Sequence, residues 1–62
     1  MIYVMFVGTN YDIEHTIHDL GYACGKIVGG FDVMVEDMEE AEQVAAAVKS
    51  KVEDVDISYQ WG

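Results

Sequence analysis

The sequence has one cysteine, no proline, no arginine and no long apolar segment, and each absence excludes a class of protein. The single thiol, Cys24, cannot form an intrachain disulfide or a two-cysteine zinc site, which fits a reducing compartment. The apolar residues at positions 1–7 are far fewer than the about 20 that span a membrane, and no charged region of a signal peptide precedes them. We therefore expect a soluble, cytoplasmic protein.

Positive charge is scarce as well. Twelve aspartates and glutamates stand against three lysines, which gives a net charge of −9. Nucleic acids and anionic membranes are bound mainly through lysine and arginine, so the composition argues against direct binding to either. The charge instead favours a protein partner with a basic surface, although a high-salt cytoplasm would select for the same composition.

The length of 62 residues allows a single domain, residues 1–62, and a hydrophobic content of 52% is too high for a disordered chain. Residues 2–7 are predicted to form a strand, because they are β-branched or aromatic and contain no glycine or proline. Since side chains alternate along a strand, one side faces the core and the other is open. The core side is predicted to hold Ile2, Val4 and Phe6, and the open side Tyr3, Met5 and Val7.

A first helix is predicted from a cap at Thr9 or Asn10 to about Leu20, with Ile13, Ile17 and Leu20 on its buried stripe and Gly21 after its end. A second helix is predicted to begin at a capping box formed by Asp37 and Glu40. Its apolar stripe comprises Met38, Ala41, Val44, Ala45, Val48 and Val52.

The strongest local signal is a hairpin around two glycines, Gly29 and Gly30, with strands at about 22–28 and 31–36. If both glycines are the central turn residues, Val28 faces Phe31 and lies on the core side. The hairpin's other side then carries Ile27, Asp32, Met34 and Glu36. A last strand, 55–61, alternates apolar residues with Asp56, Ser58 and Gln60.

The predicted element order is β-α-β-β-α-β, which is the ferredoxin-like, split-βαβ arrangement of an α+β domain. It implies a four-stranded antiparallel sheet with two helices on one face, the first and third strands central and the second and fourth at the edges. The other face is left open, with an apolar centre and an acidic margin, which is typical of an interaction surface. We predict that a partner contacts Tyr3, Met5, Asp32, Met34, Glu36 and Asp56.

No catalytic constellation or cofactor motif is present, so we predict a non-enzyme without cofactor or resident metal. His15 and His18, three residues apart on the first helix, are the candidates for a metal site, and two solvated histidines explain the same spacing. The candidates for a small-ligand site lie between strand and helix and are Gly8, Thr9 and Asn10.

Two resemblances follow from these features. Small free-standing acidic proteins of this kind resemble phage-encoded inhibitors of nucleic-acid enzymes, some of which mimic the charge of DNA; this implies an interaction module that binds and modulates or inhibits a basic partner. The length and element order also resemble ACT-type regulatory domains, with Gly8 where such domains bind effectors between subunits. That resemblance implies the alternative function, a homodimeric small-ligand sensor. A homodimer through the open sheet face is a further expectation.

Overall fold

A four-stranded antiparallel sheet and two helices form the structure, a computed structural model that describes all of residues 1–62. The strands lie in the order β2-β3-β1-β4, so β1 and β3 are central and β2 and β4 form the edges. This confirms the predicted α+β class. Neither helix combines the length and the apolar character needed to cross a membrane. The elements are β1 (Ile2–Val7), α1 (Asp12–Asp19), β2 (Gly25–Ile27), β3 (Gly30–Val35), α2 (Met38–Lys51) and β4 (Asp56–Trp61).

The strand β1 buries one side of its pleat completely. Ile2, Val4 and Phe6 are buried, whereas Tyr3 and Val7 are exposed. The alternation expected of a strand with one covered face is therefore present, and the predicted choice of core side is confirmed.

Both helices lie against that same side. Ile13 and Ile17 of α1 and Val44 and Val48 of α2 are almost fully buried and belong to the cluster that contains Phe6. The spacing of three and four residues puts each pair on one helix face, which explains why these short helices pack side by side on the sheet.

The ends of α1 differ from the prediction. Tyr11, rather than Thr9 or Asn10, is the N-cap, and it makes no side-chain capping bond. The Asn10 Oδ1 instead accepts from the amide of Asp12 at 2.9 Å. Leu20 was predicted to be buried but is exposed, because it is the C-cap residue, where the chain turns away from the sheet.

The turn after α1 is a Schellman motif. The amide of Tyr22 donates to the carbonyl of Ile17 at 3.2 Å, and the amide of Gly21 donates to the carbonyl of His18 at 3.0 Å. Gly21 has a φ of 92°, the left-handed conformation that the motif requires. The predicted helix stop at Gly21 is thus confirmed.

The predicted cap of α2 is confirmed in its main bond. The Asp37 carboxylate accepts from the amide of Glu40 at 2.8 Å. The Glu40 carboxylate reaches back to the amide of Glu36 at 2.9 Å, one residue before the amide that a capping box would use. Its second oxygen accepts from the Tyr22 hydroxyl at 2.7 Å, which ties the α1–β2 loop to the start of α2.

The hairpin turn lies one residue earlier than predicted. Ile27 pairs with Gly30, so Val28 and Gly29 are the central residues, and only Gly29 has a positive φ, 82°. A positive φ at the second central position is what a type II turn requires. Val28 is fully exposed at the tip, and its predicted place in the core is wrong.

Gly30 belongs to the strand because of its close approach to β1. A Cβ at position 30 would collide with the carbonyl oxygen of Phe6. It would also lie 2.9 Å from the carbonyl carbon of Phe6 and 3.1 Å from the Cα of Val7. The neighbouring turn is tied to β1 as well, since the amide of Gly8 donates to the carbonyl of Gly29 at 2.8 Å. The first hairpin strand is also shorter than predicted, because the amide of Tyr22 closes the turn after α1 and its hydroxyl binds Glu40.

The edge strand β4 follows the predicted alternation, and the side chains on its core side become more exposed toward the end of the strand. Val55, just before it, is buried, Ile57 and Tyr59 are half-buried, and Trp61 is 66% exposed. The helices contact β1 and β3, so the end of β4 extends beyond their cover. The outer edge of β4 pairs with no strand.

Candidate interaction surface

The side of the sheet that faces away from the helices is covered by no other element, and we call it the open face. Since residues directly opposite each other share a face, the strand register orders it into three rows. The rows are Met34, Tyr3 and Gln60; Gly25, Asp32, Met5 and Ser58; and Ile27, Gly30, Val7 and Asp56.

The centre of the open face is apolar. Tyr3 is 38% exposed, Met34 47% and Val7 50%, and Met5 between them is half-buried. All four belong to the central strands β1 and β3, so they form one continuous patch. Large apolar side chains exposed together on a small domain indicate a contact surface.

Of the acidic residues predicted for this surface, Glu36 and Asp56 lie at its margin, whereas Asp32 lies on the central strand β3. Asp32 is directly opposite Met5, and Asp56 is directly opposite Val7 on the edge strand. Glu36 is exposed and follows the last residue of β3, so it continues the alternation beyond the strand. The structure thus brings five of the six predicted contact residues onto the paired part of the open face and puts the sixth at its margin.

None of these three carboxylates is engaged in the fold. The side-chain hydrogen bonds of the chain use the carboxylates of Asp37 and Glu40 but not those of Asp32, Glu36 or Asp56. Their negative charges are therefore not offset by a hydrogen bond within the chain.

The three lysines lie away from the open face. Lys26 pairs with Phe31, which faces the core, and its Nζ lies 3.5 Å from the Tyr11 hydroxyl and 5.2 Å from the centre of that ring. Lys49 donates to the carbonyl of Val55 at 3.0 Å, and Lys51 is exposed at the end of α2. The open face therefore carries no lysine, and its charged side chains are all acidic.

A cavity of about 250 Å³ opens on this face. The ring of Tyr3 packs against the backbone of Gly62, where a Cβ would lie 2.7 Å from the ring's Cε2. Trp61 and Gly62 were not among the predicted contact residues; the alternation did place Gln60 on this surface. The cavity is lined by Tyr3, Met5, Asp32, Gln60, Trp61 and Gly62.

A second cavity, of about 180 Å³, lies between the β1–α1 loop and the hairpin turn. Two of the three predicted small-ligand residues, Gly8 and Thr9, line it together with Tyr11 and Lys26. Asn10 does not, because its side chain is turned to the start of α1. The Tyr11 ring packs edge-on against Phe31, with 6.0 Å between ring centres.

A third cavity, of about 400 Å³, lies beside the helix histidines. It is lined by Glu14, His15, His18, Asp19 and Cys24. No group of three or more histidine, cysteine or acidic side chains is placed to hold a metal ion. Burial, with the negative charges of Glu14 and Asp32, raises the pKa of the Cys24 thiol, which disfavours the thiolate that would bind metal or react.

No family model matches the chain, and comparisons with curated proteins and with solved structures also give no match. The geometry and charge of the chain's own surface are therefore the guide to its function.

Proposed function

We propose that this chain is a small, non-catalytic interaction module with a ferredoxin-like β-α-β-β-α-β arrangement, and that its open face binds a basic protein and thereby modulates or inhibits it. The order of the strands and the packing of both helices on one side support the proposed arrangement. Proteins that bind nucleic acids present basic surfaces, so they are the partner class we propose.

One observation carries the proposal: the open face combines an exposed apolar centre with unengaged carboxylates and has no lysine. Tyrosine and methionine are enriched where proteins meet, and methionine adapts to irregular partner surfaces. The acidic margin adds attraction to a basic surface and speeds association, an effect that salt weakens.

The same charge distribution disfavours self-association through this face. A two-fold dimer would bring Asp32, Glu36 and Asp56 of one copy close to the same residues of the other. Each copy also carries a net charge of −9. We therefore rank a basic partner above a homodimer. Light scattering at low and high salt distinguishes the two. A dimer that forms against this repulsion would become more stable as salt screens the charges.

The test compares two triple variants of equal net charge. The face variant replaces Asp32→Asn, Glu36→Gln and Asp56→Asn. The control variant replaces three exposed acids elsewhere, Asp12→Asn, Asp19→Asn and Glu42→Gln. None of the six carboxylates makes a hydrogen bond within the fold, so both variants should fold.

Each immobilised protein is exposed to the same lysate, and bound proteins are quantified by mass spectrometry. We expect a set of basic proteins that the native chain and the control variant retain and the face variant loses. Equal loss by both variants would mean that overall charge, and not the open face, attracts the partners. Retention of the same proteins by all three chains would refute the proposal.

A second candidate function is a homodimeric sensor of a small ligand, similar to ACT-type domains. The cavity that Gly8 and Thr9 line with Lys26 supports it, because a cation beside a cavity can receive an anionic ligand. This function requires a dimer in light scattering and a melting temperature that rises with one member of a panel of amino acids and organic acids. A monomer that no compound stabilises would exclude it.

A further inference from the structure

The cavity on the open face has the chemical features of a pocket for one cationic side chain. It combines an aromatic ring, Tyr3, a carboxylate, Asp32, and an amide, Gln60. The thioether of Met5 lines it as well, so the pocket offers apolar surface for an alkyl stem and polar groups for its end. A long basic side chain has both parts.

The register brings the ring and the carboxylate to a suitable separation. Tyr3 is opposite Met34, and Asp32 is opposite Met5, so Tyr3 and Asp32 are diagonal neighbours on adjacent strands. Diagonal neighbours lie about 7–8 Å apart. A cation interacts with a ring within about 6 Å of its centre, so one cationic group fits between the two side chains.

Asp32 is half-buried, and its carboxylate accepts no hydrogen bond from the chain. The carboxylate lies close to the backbone of Gly25, where an added Cβ would collide with the Asp32 Oδ1. An arginine suits these surroundings better than a lysine. Its planar guanidinium stacks on an aromatic ring while its fork of N–H groups binds a carboxylate through two bonds, whereas a lysine ammonium is a compact, strongly hydrated charge.

We propose that this cavity receives one arginine side chain of the basic partner, stacked on Tyr3 and hydrogen-bonded to Asp32. The inference rests on the proposed function, because it names the group through which the partner is recognised. Gln60 contributes a carbonyl oxygen that accepts from the remaining N–H groups of the guanidinium.

The experiment titrates the native chain with N-acetyl-arginine methylamide and follows the backbone amides by NMR. The lysine analogue and the citrulline analogue, which has nearly the same shape as arginine without its charge, are the matched controls. We expect shifts at Tyr3, Met5 and Asp32 with arginine, weaker shifts with lysine and none with citrulline. Equal shifts with all three, or shifts spread over the acids of α2, would overturn the inference.

Two pairs of variants test the roles of the individual residues. Asp32→Asn should weaken arginine binding about tenfold or more, while Asp56→Asn, an equal change of charge on the same face, should weaken it far less. Tyr3→Leu should remove the preference for arginine over lysine, and Tyr3→Phe should keep it. Equal effects within either pair would contradict the assigned roles.

The outcome separates this inference from the function on which it rests. If Asp32→Asn alone leaves capture of basic proteins unchanged while the triple face variant abolishes it, the open face binds partners without the arginine pocket. If the triple variant also captures them normally, the proposed function itself is wrong.

Discussion

Replacement of Gly30 by alanine tests the central packing of the sheet. The added Cβ would collide with the Phe6 carbonyl oxygen, and the nearest backbone carbons, at 2.9 and 3.1 Å, lie inside the 3.4 Å at which ordinary contact begins. These atoms are backbone, so the collision is relieved only if β1 and β3 move apart. Those strands form the centre of the sheet, and neither can yield without disturbing the core.

The expected loss is large for a domain of this size. Overpacking costs about 1–3 kcal/mol, and each weakened backbone hydrogen bond adds about 0.5–1.5 kcal/mol, so Gly30→Ala should lose about 2–4 kcal/mol. A stability of about 0.05–0.15 kcal/mol per residue gives this chain about 3–9 kcal/mol in total. The variant should therefore be largely unfolded or have a far lower urea midpoint, measured by far-ultraviolet circular dichroism.

Gly25→Ala is the matched control. Its Cβ would collide only with the carboxylate of Asp32, which can rotate away, so its cost should stay below about 1 kcal/mol, offset in part by the lower entropy of the unfolded chain. A Gly30→Ala protein as stable as the native one, or a Gly25→Ala protein destabilised to the same extent, would refute the reasoning.

Three further predictions concern the helix cap and two titrating groups. Asp37→Ala should lower the free energy of unfolding by about 1 kcal/mol, measured by urea titration, because the amide of Glu40 loses its acceptor; an unchanged midpoint would contradict this. The hydrogen bond to Glu40, then burial and the charges of Glu40 and Asp37, raise the pKa of Tyr22. The stabilisation from the Tyr22 hydroxyl is therefore complete below the ordinary phenol pKa and is lost as pH rises through the raised pKa. Tyr22→Phe should reduce this alkaline decline, and parallel declines of the two urea midpoints would argue against the bond. Burial, then the charges of Glu14 and Asp32, raise the pKa of Cys24, so iodoacetamide should alkylate the folded chain at pH 7 more slowly than the urea-unfolded chain, and equal rates would exclude a protected thiol.

Strand and helix faces could be predicted from the sequence because they depend on local periodicity. The alternation from Ile2 to Val7 identified both sides of β1, and the spacing of Asp37 and Glu40 identified the start of α2. These signals use only neighbours in the chain, so no knowledge of the tertiary structure was needed.

The predictions were wrong where contacts between segments distant in the sequence determine the local structure. Two adjacent glycines allow either of two turns, and the choice depends on how closely Gly30 approaches Phe6, a residue 24 positions earlier. Leu20 fits the helical stripe, but the Schellman turn at Gly21 carries it away from the sheet. The cavity beside Tyr3 depends on the backbone of Gly62 packing against the Tyr3 ring, which the predicted strand order does not specify.

The unpaired outer edge of β4 has a consequence for the behaviour of the chain in acid. An edge of free amides and carbonyls can template further strands, and this one has no proline or lysine to prevent it. Mutual repulsion keeps copies apart at neutral pH, but it vanishes near the isoelectric point of about 4.1. Incubation at that pH should therefore yield cross-β fibrils that bind thioflavin, and a lysine in place of Ser58 or Gln60 should delay their growth.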